Sequence, residues 1–213
     1  FEHPYTVGDW LAEVRALPRD PAPVIVGGTG LYFRALTEGL AEIPPIPPDI
    51  AAQARQLPEQ TLRAGLDAAS AARIDLANRR RVERAWAVLQ ATGRGIADWH
   101  DATPPPLLPL GAATPILLTA PVDWLNARIE RRFQTMIRQG ALDEVRALAD
   151  RWQPGLQAAQ AIGAPELMAH IRGETPLDRA ISDAVTATRQ YAKRQRTWFR
   201  ARMRDWQAVA ADQ

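Results

Sequence analysis

The sequence has no cysteine and only three histidines in 213 residues. Without thiols there is no disulfide scaffold, no thiolate zinc site and no cysteine nucleophile. His3, His100 and His170 stand too far apart to form a metal-ligand pattern, and no Ser/His/Asp motif accompanies them. No run nears the roughly 18 apolar residues of a membrane span, and no basic-then-apolar leader opens the chain. A soluble, cytoplasmic protein with no membrane partner is therefore expected. Aromatic residues are only 7% of the chain, but hydrophobic residues make up 46% and charged residues 23%. That balance is globular and excludes whole-chain disorder. A chain of this length buries roughly 70% of its unfolded surface, so its core needs no covalent or metal staple.

Lysine is nearly absent too. Lys193 stands alone among the basic residues, and the rest of the positive charge is arginine. Net charge is only +2, yet the isoelectric point is about 9.5. The average hides the distribution. Between Arg189 and Arg204 the chain places Arg189, Lys193, Arg194, Arg196, Arg200, Arg202 and Arg204 with no acid among them. A local field of that sign attracts a polyanion.

The order of elements reads as α/β. Residues 22–34 give a short β-branched run, a glycine turn and a helix start, so a buried strand is expected before the turn. Prolines 44, 45, 47 and 48 block helix and central strand alike and mark an exit from the first layer. Residues 49–76 are alanine-rich and helix-prone, an inserted helical lobe. A helix is expected over 78–92, with Val82, Ala85, Trp86 and Leu89 on one face and Gly93 ending it. A second apolar strand follows at 115–119, then helices near 122–138, 141–151, 164–171 and 176–203. Strands separated by helices point to a parallel sheet. The expected organisation is an α/β core over 1–38 and 77–213, with a helical insertion over 39–76.

Four constellations carry candidate chemistry. The turn Val26-Gly27-Gly28-Thr29-Gly30 offers backbone amides at a helix start, an arrangement suited to an anion, with the Thr29 hydroxyl free to meet a ligand. It is not a Walker A loop, because the lysine that motif requires is missing. Arg79, Arg80, Arg81 and Arg84 put cations in the first turns of a helix, against its macrodipole. A bound phosphate would offset that cost, and so would pairing with acids such as Asp75. Arg128 and Arg132 stand one turn apart and repel unless an anion lies between them. A diphosphate fits that gap, as does a carboxylate such as Glu130 or Asp123. In the last helix Arg189, Lys193, Arg196, Arg200 and Arg204 align, with Tyr191 and Trp198 expected on the opposite, packed face. That stripe favours nucleic acid.

Taken together, the glycine turn, the basic helix start from Asn78 to Arg84, the segment Arg128 to Phe133, and the block from Ala187 to Arg200 resemble bacterial tRNA dimethylallyltransferases. The resemblance runs over essentially the whole chain and about the C-terminal two thirds of the family's domain. It implies a P-loop-kinase-like parallel sheet core, incomplete at its N-terminus, with a helical insertion that contacts the anticodon arm. It also implies a reaction: a dimethylallyl group moves from its diphosphate to the exocyclic amine of the adenine 3′ of the anticodon. On that resemblance Arg132 and Thr29 are the catalytic candidates, and Arg128 and Arg132 bind the diphosphate. The RNA-binding set is Thr29, Arg80, Arg81, Val82, Glu83, Arg84, Lys193, Arg194, Gln195, Arg196, Thr197 and Trp198. The implied partners are tRNA and dimethylallyl diphosphate, and the full-length enzyme is expected to be a monomer. Magnesium is the implied cofactor, with ligands expected upstream of Phe1. A nucleotide-binding, ATP-binding Walker A loop and an Asp-Ser pair carrying the base are expected there too.

This sequence departs from the family pattern at three places. Ala51 stands where the family usually has a tRNA-contacting arginine. The segment between Gly39 and Leu76 is shorter than usual, and Ala164 replaces a common tyrosine. Without the upstream strand and loop, the chain alone is expected to be inactive in transfer and poorly stable or self-associating. Two rival readings stay open: a prenyltransferase acting on free adenine nucleotides, for which the basic last helix has little purpose, and a noncatalytic RNA-binding module.

Overall fold

The computed structural model describes residues 5–18, 20–155 and 158–211. The chain divides into two compact units, Phe1–Leu31 with Ala113–Gln213, and Tyr32–Ala112. The helical segment expected over 39–76 lies wholly in the second unit, which also takes in 32–38 and 77–112, both expected in the core.

In the first unit, helix α1 (Val7–Ala16) starts at a capping box in which Thr6 and Asp9 satisfy each other's backbone amides. Helix α2 (Gly30–Glu38) starts after the glycine turn, as the sequence leads one to expect, and from Tyr32 onward it belongs to the second unit. The run before that turn is not a strand. Residues 22–27 form no regular element and have no ladder partner among the described residues, and Val24 and Val26 are 88% and 85% exposed. β-Branched residues favour an extended backbone, but a strand exists only where another strand pairs with it.

The sheet that does form is parallel and two-stranded. Strand β1 (Ile116–Thr119) pairs with β2 (Gln207–Ala210), with Ile116 opposite Gln207 and Thr119 opposite Ala210. Parallel neighbours need a long crossover. Here it consists of four helices numbered after the second unit's: α8 (Val122–Arg138), α9 (Ala141–Ala147), α10 (Ala164–Ile171) and α11 (Leu177–Arg202). Ile129, Phe133, Met136 and Ile137 recur at helical spacing on α8 and meet Val145, Leu167, Met168, Ala184 and Val185 in the core of this unit. At Gly163, before α10, φ is +101° and an added Cβ would lie 2.8 Å from the Phe133 ring. Only glycine suits both the backbone and the space.

The second unit is helical. It contains α3 (Pro48–Gln56), α4 (Glu59–Ala64), α5 (Ala68–Arg73), α6 (Arg79–Thr92) and α7 (Ile96–Asp101). Helix α6 lies at its centre, with Val82, Ala85, Trp86, Ala87 and Val88 buried among residues of α3, α4 and α7. Asn78 caps its start by accepting from the Arg81 amide, and Gly93, at φ +67°, ends it in the left-handed conformation. Buried Ser70 is used at both ends of its environment: its amide donates to Asp67 Oδ1 and its hydroxyl accepts from the Ala97 amide.

Candidate functional site

In the first unit the glycine turn and α11 meet directly. The Gln195 side chain donates through Nε2 to the Gly28 carbonyl at 2.6 Å. The Trp198 indole lies against Gly30 so closely that an added methyl group would fall inside the ring. Thr29, between these two anchors, is exposed. The turn's side chain therefore faces outward while its backbone is held from behind.

This contact changes the reading of α11. Gln195 and Trp198, expected to touch RNA, are half-buried and occupied with the turn. Tyr191, expected on the packed face, is 37% exposed, and the Arg194 guanidinium lies 5.8 Å from its ring. The reason is helical phase. The buried side at this level of α11 is marked by Thr188, Ala192, Gln195 and Phe199, and Tyr191 falls outside it. Lys193, Arg194, Thr197 and Arg200 are exposed, so the outward basic stripe stands in modified form. Arg196 is half-buried, with its Nη1 shielded from solvent and unpaired among the described residues. A shielded guanidinium N–H without an acceptor is costly, and a phosphate oxygen would satisfy it.

Arg189, at the base of the stripe, is tied across to α8, where Nη2 donates to Glu130 Oε2 at 3.0 Å. This pair bears on the carboxylate alternative for Arg128 and Arg132. Glu130 is spent on Arg189, and neither Glu130 nor Asp123 pairs with Arg128 or Arg132 among the described residues. Arg128 lies over the Trp124 ring at 5.4 Å, and Arg132 is exposed. Like charges one turn apart repel, and no carboxylate among the described residues offsets that repulsion.

In the second unit the basic start of α6 separates into structural and free groups. Arg79 pairs with Glu83 at 2.8 Å and donates to the carbonyls of Arg55 and Leu57. Glu83 is thereby neutralised. Val82 has no exposed surface, so its side chain cannot meet RNA; the apolar stripe that builds α6 claims it. Asp75 accepts from the Ala77 amide rather than from an arginine. Arg80, Arg81 and Arg84 remain exposed without a carboxylate partner among the described residues. Desolvation lowers the Arg84 pKa, and arginine stays charged across ordinary pH.

The family profile for IPP transferase matches residues 1–202. A tRNA dimethylallyltransferase of Ruegeria sp. is 56% identical over 207 residues, covering 97% of this chain and 72% of that protein. One from Cereibacter sphaeroides is 59% identical over 210 residues, covering 96% of this chain and 67% of that protein. Among solved structures, the full-length tRNA isopentenylpyrophosphate transferase of Bacillus halodurans aligns with a TM-score of 0.62 at 30% identity. The alignment covers 98% of this chain and 68% of that one.

Proposed function

Because the chain belongs to the IPP transferase family, we propose that it works in the transfer of a dimethylallyl group from its diphosphate to tRNA. The acceptor is the exocyclic amine of the adenine 3′ of the anticodon. The amine nitrogen attacks the allylic carbon, the carbon–oxygen bond to the diphosphate breaks, and the leaving group departs with the bonding pair. Two demands follow: cations where negative charge grows, and a base for the amine proton. Arg128 and Arg132, free of acid partners, supply the first. The resemblance puts the base in the Asp-Ser pair upstream of Phe1.

The acceptor base must leave its stack before its amine can react. Thr29, exposed at the tip of a rigidly held turn, is the hydroxyl we assign to it. Lys193, Arg194, Arg196 and Arg200 of α11, and Arg80, Arg81 and Arg84 of α6, are the groups assigned to the tRNA backbone. The single observation that carries the tRNA reading is the exposed basic face of α11, which a free nucleotide would not need. The compartment follows from the substrate: the cytoplasm, where tRNA is modified. Magnesium is implied beside the diphosphate. The donors around Arg128 and Arg132 are guanidinium groups, which cannot ligate a cation, and the described residues hold no cluster of three or more His, Cys, Asp or Glu suited to one.

The test is acceptor choice. The intact protein, given labelled dimethylallyl diphosphate with tRNA or AMP, should label the tRNA at that adenine and leave AMP unlabelled. Labelling of AMP in preference to tRNA would replace this reading with the nucleotide prenyltransferase. Salt-sensitive tRNA binding without labelling of either acceptor would leave an RNA-binding module.

A further inference from the structure

Resting on the transferase reading, we infer that Gln195 and Trp198 are positioning residues, which act through the glycine turn to fix where the Thr29 hydroxyl stands. The two contacts flank Thr29 by one residue on each side: Gln195 grips the Gly28 carbonyl, and Trp198 covers Gly30. The indole is itself braced by Phe199, whose ring meets it edge-on at 5.7 Å and 83°. Upstream, the chain offers little support, because Val24 and Val26 are almost fully exposed. Gln195 supplies this segment with a side-chain hydrogen bond from another element, at the Gly28 carbonyl. Without Gln195 and Trp198 the turn would have to find its place from the start of α2 alone.

The location of these anchors has a functional meaning. Lys193 and Gln195 are two residues apart, about 200° around the helix, as are Trp198 and Arg200. Helix α11 therefore presents cations on one side and holds the turn on the other. A helix of 26 residues is a stiff rod on this scale. A tRNA backbone bound to its basic side and the hydroxyl facing the acceptor base are thus placed by a single element. Misplacement of a reacting group by about 1 Å can cost about a hundredfold in rate.

The consequences differ from those of direct RNA contact. In the intact protein, Gln195→Ala, Gly30→Ala and Trp198→Phe should each lower kcat for transfer to tRNA by between about tenfold and a hundredfold. The KM for dimethylallyl diphosphate and the Kd for tRNA should stay within about twofold. Gln195→Glu, isosteric but unable to donate when ionised, should lose as much as Gln195→Ala. Combined with Thr29→Ala, Gln195→Ala should add little to the loss from Thr29→Ala alone, since both remove the same hydroxyl from its place. Thermal melts of each variant accompany the kinetics, and the Gln195 pair decides if Trp198→Phe proves unstable. Additive losses, or a raised Kd for tRNA with kcat unchanged, would overturn the positioning role while leaving the transferase reading intact. A wild-type protein that labels no tRNA would overturn the transferase reading first, and the positioning role with it.

Discussion

At the scale of single residues, side chains with the same sequence signature divide by what they touch. Arg79 and Arg80 are neighbours in one basic run, yet Arg79 is spent on Glu83 and two carbonyls while Arg80 is exposed. Composition and spacing find the run; only packing sorts it. The same holds for Gln195 and Trp198, which read as part of a basic block but face the glycine turn. Their phase on the helix, opposite Lys193 and Arg200, was available in the sequence; their partner was not. Gly163→Ala, forced against both φ +101° and the Phe133 ring, should cost about 1–3 kcal/mol in denaturant unfolding; an unchanged midpoint would refute the steric argument. Asp67 caps α5, and hydrogen bonding from the Ser70 side chain, with its backbone amide, holds the carboxyl below the ordinary range. Its folded pKa thus lies below the unfolded value of about 3.9, so its contribution is complete above that pH and is lost as pH falls through the folded value. Asp67→Ala should cost about 1 kcal/mol at neutral pH and show a shallower stability loss than wild type below about pH 4. Unfolding curves at neutral and acid pH check both statements.

Elements with a strong internal period were legible from the chain alone. Helices α6, α8, α10 and α11 start and stop within a few residues of where apolar spacing, Asn78 and Gly93 put them. Helices α1 and α7 and strand β2 escaped notice, because each is short and has too few periodic residues to stand out. The run at 22–26 failed for another reason: β propensity describes a backbone preference, and the ladder that turns it into a strand is a long-range property. Packing between elements also reassigns charge. The Arg189–Glu130 pair joins α11 to α8 at the surface, where such a pair contributes less than about 1 kcal/mol. Its larger effect is on the field it cancels. Glu130→Gln should leave the melting temperature nearly unchanged and release Arg189 toward the polyanion. The slope of log affinity for tRNA against log salt should then steepen by about 0.7–0.9. An unaltered slope would mean that Arg189 stays out of reach of phosphate.

At the scale of the whole molecule, the core and the exposed surface point in different directions. Each unit has its own buried cluster, one around Phe133 and Met168 and one around Leu62 and Trp86. Yet Val24 at 88%, Val26 at 85%, Leu118 at 65% and Leu31 at 54% leave apolar side chains in water. Unpaired backbone beside exposed apolar side chains is a surface that associates with other chains. The 213-residue chain by itself should sediment as concentration-dependent oligomers. Val24→Lys with Val26→Lys should shift it toward monomer without lowering its melting temperature, since neither side chain is packed. A monodisperse wild-type chain at high concentration would contradict this.

We assign the two sets of unpaired cations different work, one set on the leaving diphosphate and the other on the RNA backbone. The most direct measurement compares single-turnover transfer and tRNA affinity in the intact protein for Arg132→Ala and for the combined change Lys193→Ala, Arg194→Ala and Arg200→Ala. The first variant should lose transfer by about a hundredfold or more while its tRNA affinity is unchanged. The second should bind tRNA with a salt slope smaller by about 2–3, yet transfer at close to the wild-type rate once tRNA is saturating. If both variants lose binding and transfer together, or if neither loses either, the division does not exist.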